Sequence, residues 1–102
     1  GRYAPDRDPS NQQVIAQIAQ SDESDVGAAV AAATAAFPDW KRMSPVKRGQ
    51  LLVRAARLLE QRKDELIPLV TLEQGKPLAE ARGEVPRAID FWSWMGHQGG
   101  SI

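Results

Sequence analysis

The chain has 102 residues, enough for one small domain and too few for two independent cores. Lysine and arginine total 13, as do aspartate and glutamate, so the formal net charge is zero, which argues against a nucleic-acid-binding surface. There is no cysteine and one histidine, His97, which excludes disulfides, Cys-ligated zinc, a thiolate nucleophile from these residues and a multi-histidine metal site.

No apolar run approaches the roughly 20 residues that span a bilayer. The segment Gly1 to Asp6 has no apolar stretch of signal-peptide type. The expectation is a soluble, cytoplasmic protein with neither membrane nor nucleic acid as partner.

Residues 1–20 read as a β element. Asp8-Pro9-Ser10-Asn11 is a turn sequence. Val14 to Ala19 is short and partly β-branched, as in a strand. With Arg2 to Pro5 extended, the turn closes a hairpin, which needs a covering helix or sheet because an isolated hairpin is marginal in water.

Residues 21–98 read as helical. Asp22 is an N-cap, and Glu23 and Asp25 put negative charge on the first turn. Val26, Val30, Ala33 and Phe37 then form one apolar face, and Pro38 is expected to end or kink this helix. Ser44 caps a second helix with Pro45 at its first position and Leu51, Leu52, Ala55, Leu58 and Leu59 on one face. Residues 63–73 continue as a further helical stretch. Pro68 is expected in the first turn of a new helix or at a kink, and Gly75-Lys76-Pro77 stops the stretch. A last helix runs from about Pro77 to Gly96 with a predicted apolar stripe Leu78, Ala81, Val85, Ala88, Trp92 and Met95. Pro86 interrupts it, at a cost of roughly 3 kcal/mol unless it is accommodated. Residues 99–102 have the composition of a flexible tail. The fold class is mainly α: a short N-terminal β-hairpin followed by three to four helices.

Several reactive motifs are missing: G-x-G-x-x-G, a Walker loop and a nucleophile elbow. Gln74-Gly75-Lys76 is a poor phosphate loop, because a helix precedes it and proline follows. The informative segments are Asp25 to Ala33 with Ala36-Phe37-Pro38-Asp39-Trp40, then Ser44 to Arg48 with the Leu-rich helix and Lys63-Asp64-Glu65-Leu66, then Leu72 to Ala81 with Gly83-Glu84-Val85. In this order they resemble the N-terminal region of the aldehyde dehydrogenase superfamily, succinate-semialdehyde dehydrogenases or related members, from about Asp8 to Gly96. Pro86 and Gly27 depart from the usual family residues.

The resemblance implies a longer α/β enzyme that oxidises an aldehyde to a carboxylate with NAD or NADP, through a cysteine thiolate and a water-activating glutamate. Neither that cysteine nor a dinucleotide-binding motif is present in these 102 residues, so no cofactor is expected to bind this chain alone, and no residue here is assigned to catalysis. Its expected partner is the remainder of an aldehyde dehydrogenase chain, or another copy of itself. The resemblance also implies site residues. Glu73, before the Gly-Lys-Pro turn, would be a ligand of a monovalent cation completed by carbonyls. Arg87, Phe91 and Trp94 would flank the substrate tunnel.

Read from the residues alone, Glu73 is a solvated helix-end glutamate, and Phe91 and Trp94 are packing surface for another domain. Lys76 is expected to meet the last carbonyls of the preceding helix, and His97 to complement a helix C-terminus. The cluster Phe91, Trp92 and Trp94 supports a different class of function, a stand-alone helical module that binds a partner protein.

Overall fold

The computed structural model describes residues 2–101. It contains a two-stranded antiparallel sheet, β1 (Arg2–Arg7) and β2 (Val14–Gln20), followed by α1 (Glu23–Arg42), α2 (Pro45–Gln61), α3 (Lys63–Gln74) and α4 (Leu78–Gln98). The hairpin and four helices match the expected class.

The hairpin pairs Arg2 with Gln20 through Asp6 with Ala16, and the register slips between Asp6 and Arg7. Its connection is organised by Asp8, whose carboxylate accepts from the Ser10 amide at 2.7 Å and the Ser10 hydroxyl at 2.6 Å. These bonds hold the Asp8 carboxyl below the ordinary carboxylate range. Gln12 closes the loop with a φ of 64°, its amide donating to the Asp8 carbonyl at 2.8 Å.

The start of α1 follows from its sequence. Asp22 accepts from the amides of Ser24 and Asp25, and the Asp25 side chain accepts from the Asp22 amide at 3.0 Å, a reciprocal cap. The Ser24 hydroxyl and amide hold the Asp22 carboxyl below its ordinary value of 3.8. A carboxyl depressed in the folded state stabilises above its unfolded pKa and loses that contribution as pH falls through the folded value. Acid titration followed by far-UV circular dichroism is therefore expected to show helix loss below about pH 3.8, with a smaller step in Asp22→Ala.

Pro38 does not end α1, which continues to Arg42 and is capped at Met43. A proline so near the C-terminus removes one backbone bond, and the carbonyl it deprives, on exposed Thr34, is open to water.

Ser44 caps α2 through the Lys47 amide, with Pro45 at the first position. Arg62 both ends α2 and starts α3: its amide donates to the Leu58 and Leu59 carbonyls, and its carbonyl accepts from Glu65 and Leu66. Pro68 therefore lies in the interior of α3, not in a first turn. Gly75 ends α3 in the left-handed region (φ 73°) with its amide on the Thr71 carbonyl at 2.8 Å. The Pro9 ring sits against it: a Cβ on Gly75 would lie 2.7 Å from Pro9 Cγ. This contact places the hairpin loop on the α3–α4 turn.

The core is small. Ala56, Ile67, Ala81, Val85 and Ile89 are buried, with Leu59, Leu66 and Val70 packed on them. α4 runs without a break through Pro86, whose neighbours Val85 and Ile89 anchor it. The buried stripe is Ala81, Val85, Ile89 and Gly96, whereas Ala88 is exposed and Leu78, Trp92 and Met95 lie at the margin. The predicted stripe is thus rotated, because Trp92 and Met95 are too bulky for the close α2–α4 contact.

That contact is made by glycines. α2 and α4 run antiparallel, with Gly49 against Gly96 and Gly99 against Pro45. A Cβ on Gly96 would lie 2.7 Å from Val53 Cγ2 and 2.8 Å from the Gly49 carbonyl oxygen. A Cβ on Gly49 would overlap the Gly96 carbonyl oxygen. Gly99 is buried here, so the chain leaves the fold only after it; Ile102 falls outside the described residues.

α1 buries none of its residues. The molecule is a slab of 48 × 37 × 16 Å with a radius of gyration of 17.5 Å, against about 13 Å for a globular chain of this length. Its accessible surface is 7933 Å², where a globule of this mass exposes about 5,700 Å².

Candidate functional site

Arg87, Phe91 and Trp94 lie on α4, at spacings of four and three that put them on one flank of the helix. Phe91 and Trp94 stack with ring centroids 6.5 Å apart and an interplanar angle of 26°. Both rings are mostly exposed. Phe91 also joins Leu52, Trp92 and Met95 around a shallow apolar concavity. The far side of Trp92 closes a second one with Ala55, Leu58, Leu59, Arg62 and Leu66. The structure therefore brings Phe91 and Trp94 together and adds Leu52, Trp92 and Met95 to them. In the sequence Trp92 stands both in the aromatic cluster and in the predicted core stripe, whereas Met95 belongs only to that stripe and Leu52 only to the apolar face of α2.

Arg87 lines a separate polar groove with Lys76, Ala79, Glu80, Gly83 and Glu84. Lys76 does not reach the carbonyls at the end of α3. It forms an ion pair with Glu84 of α4, across the Gly75-Lys76-Pro77 turn. Glu84 is already neutralised in this way, which leaves Arg87 as a cation of this groove outside that ion pair.

Glu73 is exposed near the C-terminal end of α3, on a different element from the other candidates. Among the described residues, no three His, Cys, Asp or Glu side chains gather into a metal-binding group.

His97 Nδ1 lies 2.6 Å from the Ser93 carbonyl oxygen. A carbonyl only accepts, so Nδ1 carries the proton and the ring is tied to the last turn of α4. Its position agrees with a helix-end role.

The model of the aldehyde dehydrogenase family matches residues 1–102. This chain belongs to the aldehyde dehydrogenase family. The aldehyde dehydrogenase segment is 46% identical over 88 residues to the alpha-ketoglutarate semialdehyde dehydrogenase of Haloferax volcanii, covering 85% of this chain and 18% of that enzyme. It is 35% identical over 94 residues to the NADP(+) succinate-semialdehyde dehydrogenase GabD of Escherichia coli, covering 92% of this chain and 20% of that enzyme. Among solved structures, PnpE in complex with nicotinamide adenine dinucleotide superposes with a TM-score of 0.94 at 34% identity, over 100% of this chain and 21% of PnpE. The chain thus spans about a fifth of the length of these relatives and forms their N-terminal piece. No helix among the described residues is long and apolar enough to cross a membrane.

Proposed function

We propose that this segment is the N-terminal support of a cytoplasmic NAD(P)-dependent aldehyde dehydrogenase, and that the whole protein oxidises an aldehyde to a carboxylate. The observation that carries the reading is the match of the family model along the entire chain, together with a surface too large for a finished globule. The segment's own task is structural. The remainder of the enzyme covers α1 and the hairpin, and the Phe91–Trp94 stack forms one wall of the substrate tunnel. Nicotinamide cofactor and thiolate chemistry come from the remainder, since no cysteine is present here.

The Haloferax and Escherichia relatives are semialdehyde dehydrogenases, and their semialdehydes carry a carboxylate at the far end. Arg87, on the same flank of α4 as the stacked rings, supplies the complementary cation from the neighbouring polar groove, and Glu73 holds the monovalent cation at the turn.

A segment exchange tests this. Residues 8–96 replace the matching part of the Escherichia coli succinate-semialdehyde dehydrogenase, and NADPH formation is followed at the nicotinamide absorbance. A folded, active chimera is expected, and the isolated 102-residue chain is expected to give no turnover with either dinucleotide. A folded chimera without activity would overturn the proposed support role. Within the active chimera, Arg87→Ala is expected to raise KM for the semialdehyde about 10- to 100-fold, the range for a hydrogen bond to a charged group. A neutral aldehyde of similar length should be little affected, and equal losses on both substrates would rule out carboxylate recognition.

A further inference from the structure

We propose that Lys76 is a positioning residue for Arg87: it holds the Glu84 carboxylate away from the Arg87 guanidinium and so keeps that cation available to the carboxylate of the substrate. The inference rests on the proposed reading of Arg87 and adds a second residue to it. The contacts that carry it lie inside the segment.

Three of the ion pairs among the described residues join side chains three residues apart, Asp39 with Arg42, Glu60 with Lys63 and Arg62 with Glu65. Lys76 and Glu84 are eight residues apart and tie the turn to α4. The Lys76 side chain is 25% exposed, less than the cation of any of the local pairs, so solvent and salt screen this pair least. The turn that carries Lys76 is held on both sides. The Gly75 amide bonds to the Thr71 carbonyl, the Pro9 ring lies against Gly75, and the Pro77 carbonyl accepts from the Glu80 and Ala81 amides.

Glu84 and Arg87 are three residues apart on α4 and line the same groove, with the acid before the base, the favourable order for a helical pair. Without Lys76 they would pair with each other. With it, Glu84 is taken from the side of the turn. Gly83, one turn before Arg87, offers no side chain, and a Cβ there would meet nothing within 4 Å. Asp90, three residues beyond Arg87, lines a different concavity with Glu60, Ser93 and His97. Glu80 lies in the first turn of α4, where the exposed amides offset its charge. Lys76 also sets the charge of the groove. Lys76 and Arg87 balance Glu80 and Glu84, and removal of Lys76 would leave a net negative groove that repels a carboxylate.

The chimera carrying residues 8–96 tests the proposal through KM for succinate semialdehyde and for a neutral aldehyde of similar length. Lys76→Met is expected to raise KM for the semialdehyde about three- to tenfold, with the neutral aldehyde little affected. The rise is smaller than for Arg87→Ala, because an exposed helical pair is a weak competitor. Lys76→Met with Glu84→Gln is expected to return KM to within about twofold of that of the unsubstituted chimera, since no carboxylate remains to hold Arg87. Lys76→Arg keeps the pair and is expected to behave like the unsubstituted chimera. Glu84→Gln alone leaves the lysine of the turn in place, and its KM is expected to be no higher than that of the unsubstituted chimera. A pair that serves only the turn would give the opposite pattern, with every variant lacking the pair impaired alike. A rise that survives Glu84→Gln, a rise equal on the neutral aldehyde, or a higher KM for Glu84→Gln alone overturns the proposal. An effect of Arg87→Ala without one of Lys76→Met overturns it alone, whereas a KM indifferent to Arg87→Ala overturns the reading of Arg87 with it.

Discussion

Gly96→Ala is expected to destabilise the chain by about 3 kcal/mol, the upper end for overpacking. The added methyl would stand 2.7 Å from Val53 Cγ2, 2.8 Å from the Gly49 carbonyl oxygen and 2.9 Å from the Val53 amide nitrogen. Two of these neighbours are backbone atoms of α2, so the clash is relieved only by moving the helices apart. The core between them has five buried apolar residues and little reserve. Gly49→Ala is expected to act similarly, against the Gly96 carbonyl. Gly27 and Gly83 provide the controls. A Cβ at either meets nothing within 4 Å, and both lie inside helices. Gly27→Ala and Gly83→Ala are expected to stabilise by about 0.5–1 kcal/mol, the cost of glycine relative to alanine in a helix. Urea denaturation of the four variants measures the contrast. Equal effects at all four sites would show that α2 and α4 approach each other less closely than the Gly49–Gly96 contact requires.

The sequence was most legible where a local signal has a local cause. Asp22, Ser44 and Gly75 cap the helices they were expected to cap, because caps are settled by groups a few residues apart. The hairpin follows from Asp8-Pro9-Ser10-Asn11 for the same reason. The prolines were less legible. Pro38, Pro68 and Pro86 all lie inside helices, where packing or solvent takes up the lost donor and propensity alone overstates the penalty. The glycine contact between α2 and α4 was not legible at all. Gly49 meets Gly96 and Gly99 through backbone atoms far apart in the sequence, and nothing in the spacing of either helix reports that distance. Of the site candidates, Phe91 and Trp94 could be paired from their spacing of three. The Lys76–Glu84 pair crosses a turn, and its geometry depends on how α4 leaves Pro77.

The exposed apolar residues follow a pattern that separates the two ends of the chain. In α2, α3 and α4 the large exposed side chains border a buried core, whereas in α1 and the hairpin they border none. Under the proposed function these are the surfaces that the rest of the enzyme covers. The core of α2–α4 carries the α3–α4 turn and the Phe91–Trp94 stack without any contribution from α1.

Ile89→Ala is expected to cost about 2–4 kcal/mol, as for large-to-small changes in a core. Ile89 is 6% exposed and sits among Ala56, Ile67 and Val85, where a vacated volume cannot collapse easily because α2 is already at backbone contact with α4 further along. The residue beside it tests the rotation of the buried stripe. Ala88 belongs to the apolar stripe by spacing, yet it is exposed. Ala88→Glu is therefore expected to change stability by less than about 0.5 kcal/mol. The predicted stripe would give the reverse order, with a charge at position 88 entering the core and truncation at position 89 harmless. Thermal unfolding of the two variants decides between these arrangements of α4, and with them which flank of the helix carries Arg87, Phe91 and Trp94 away from the bundle.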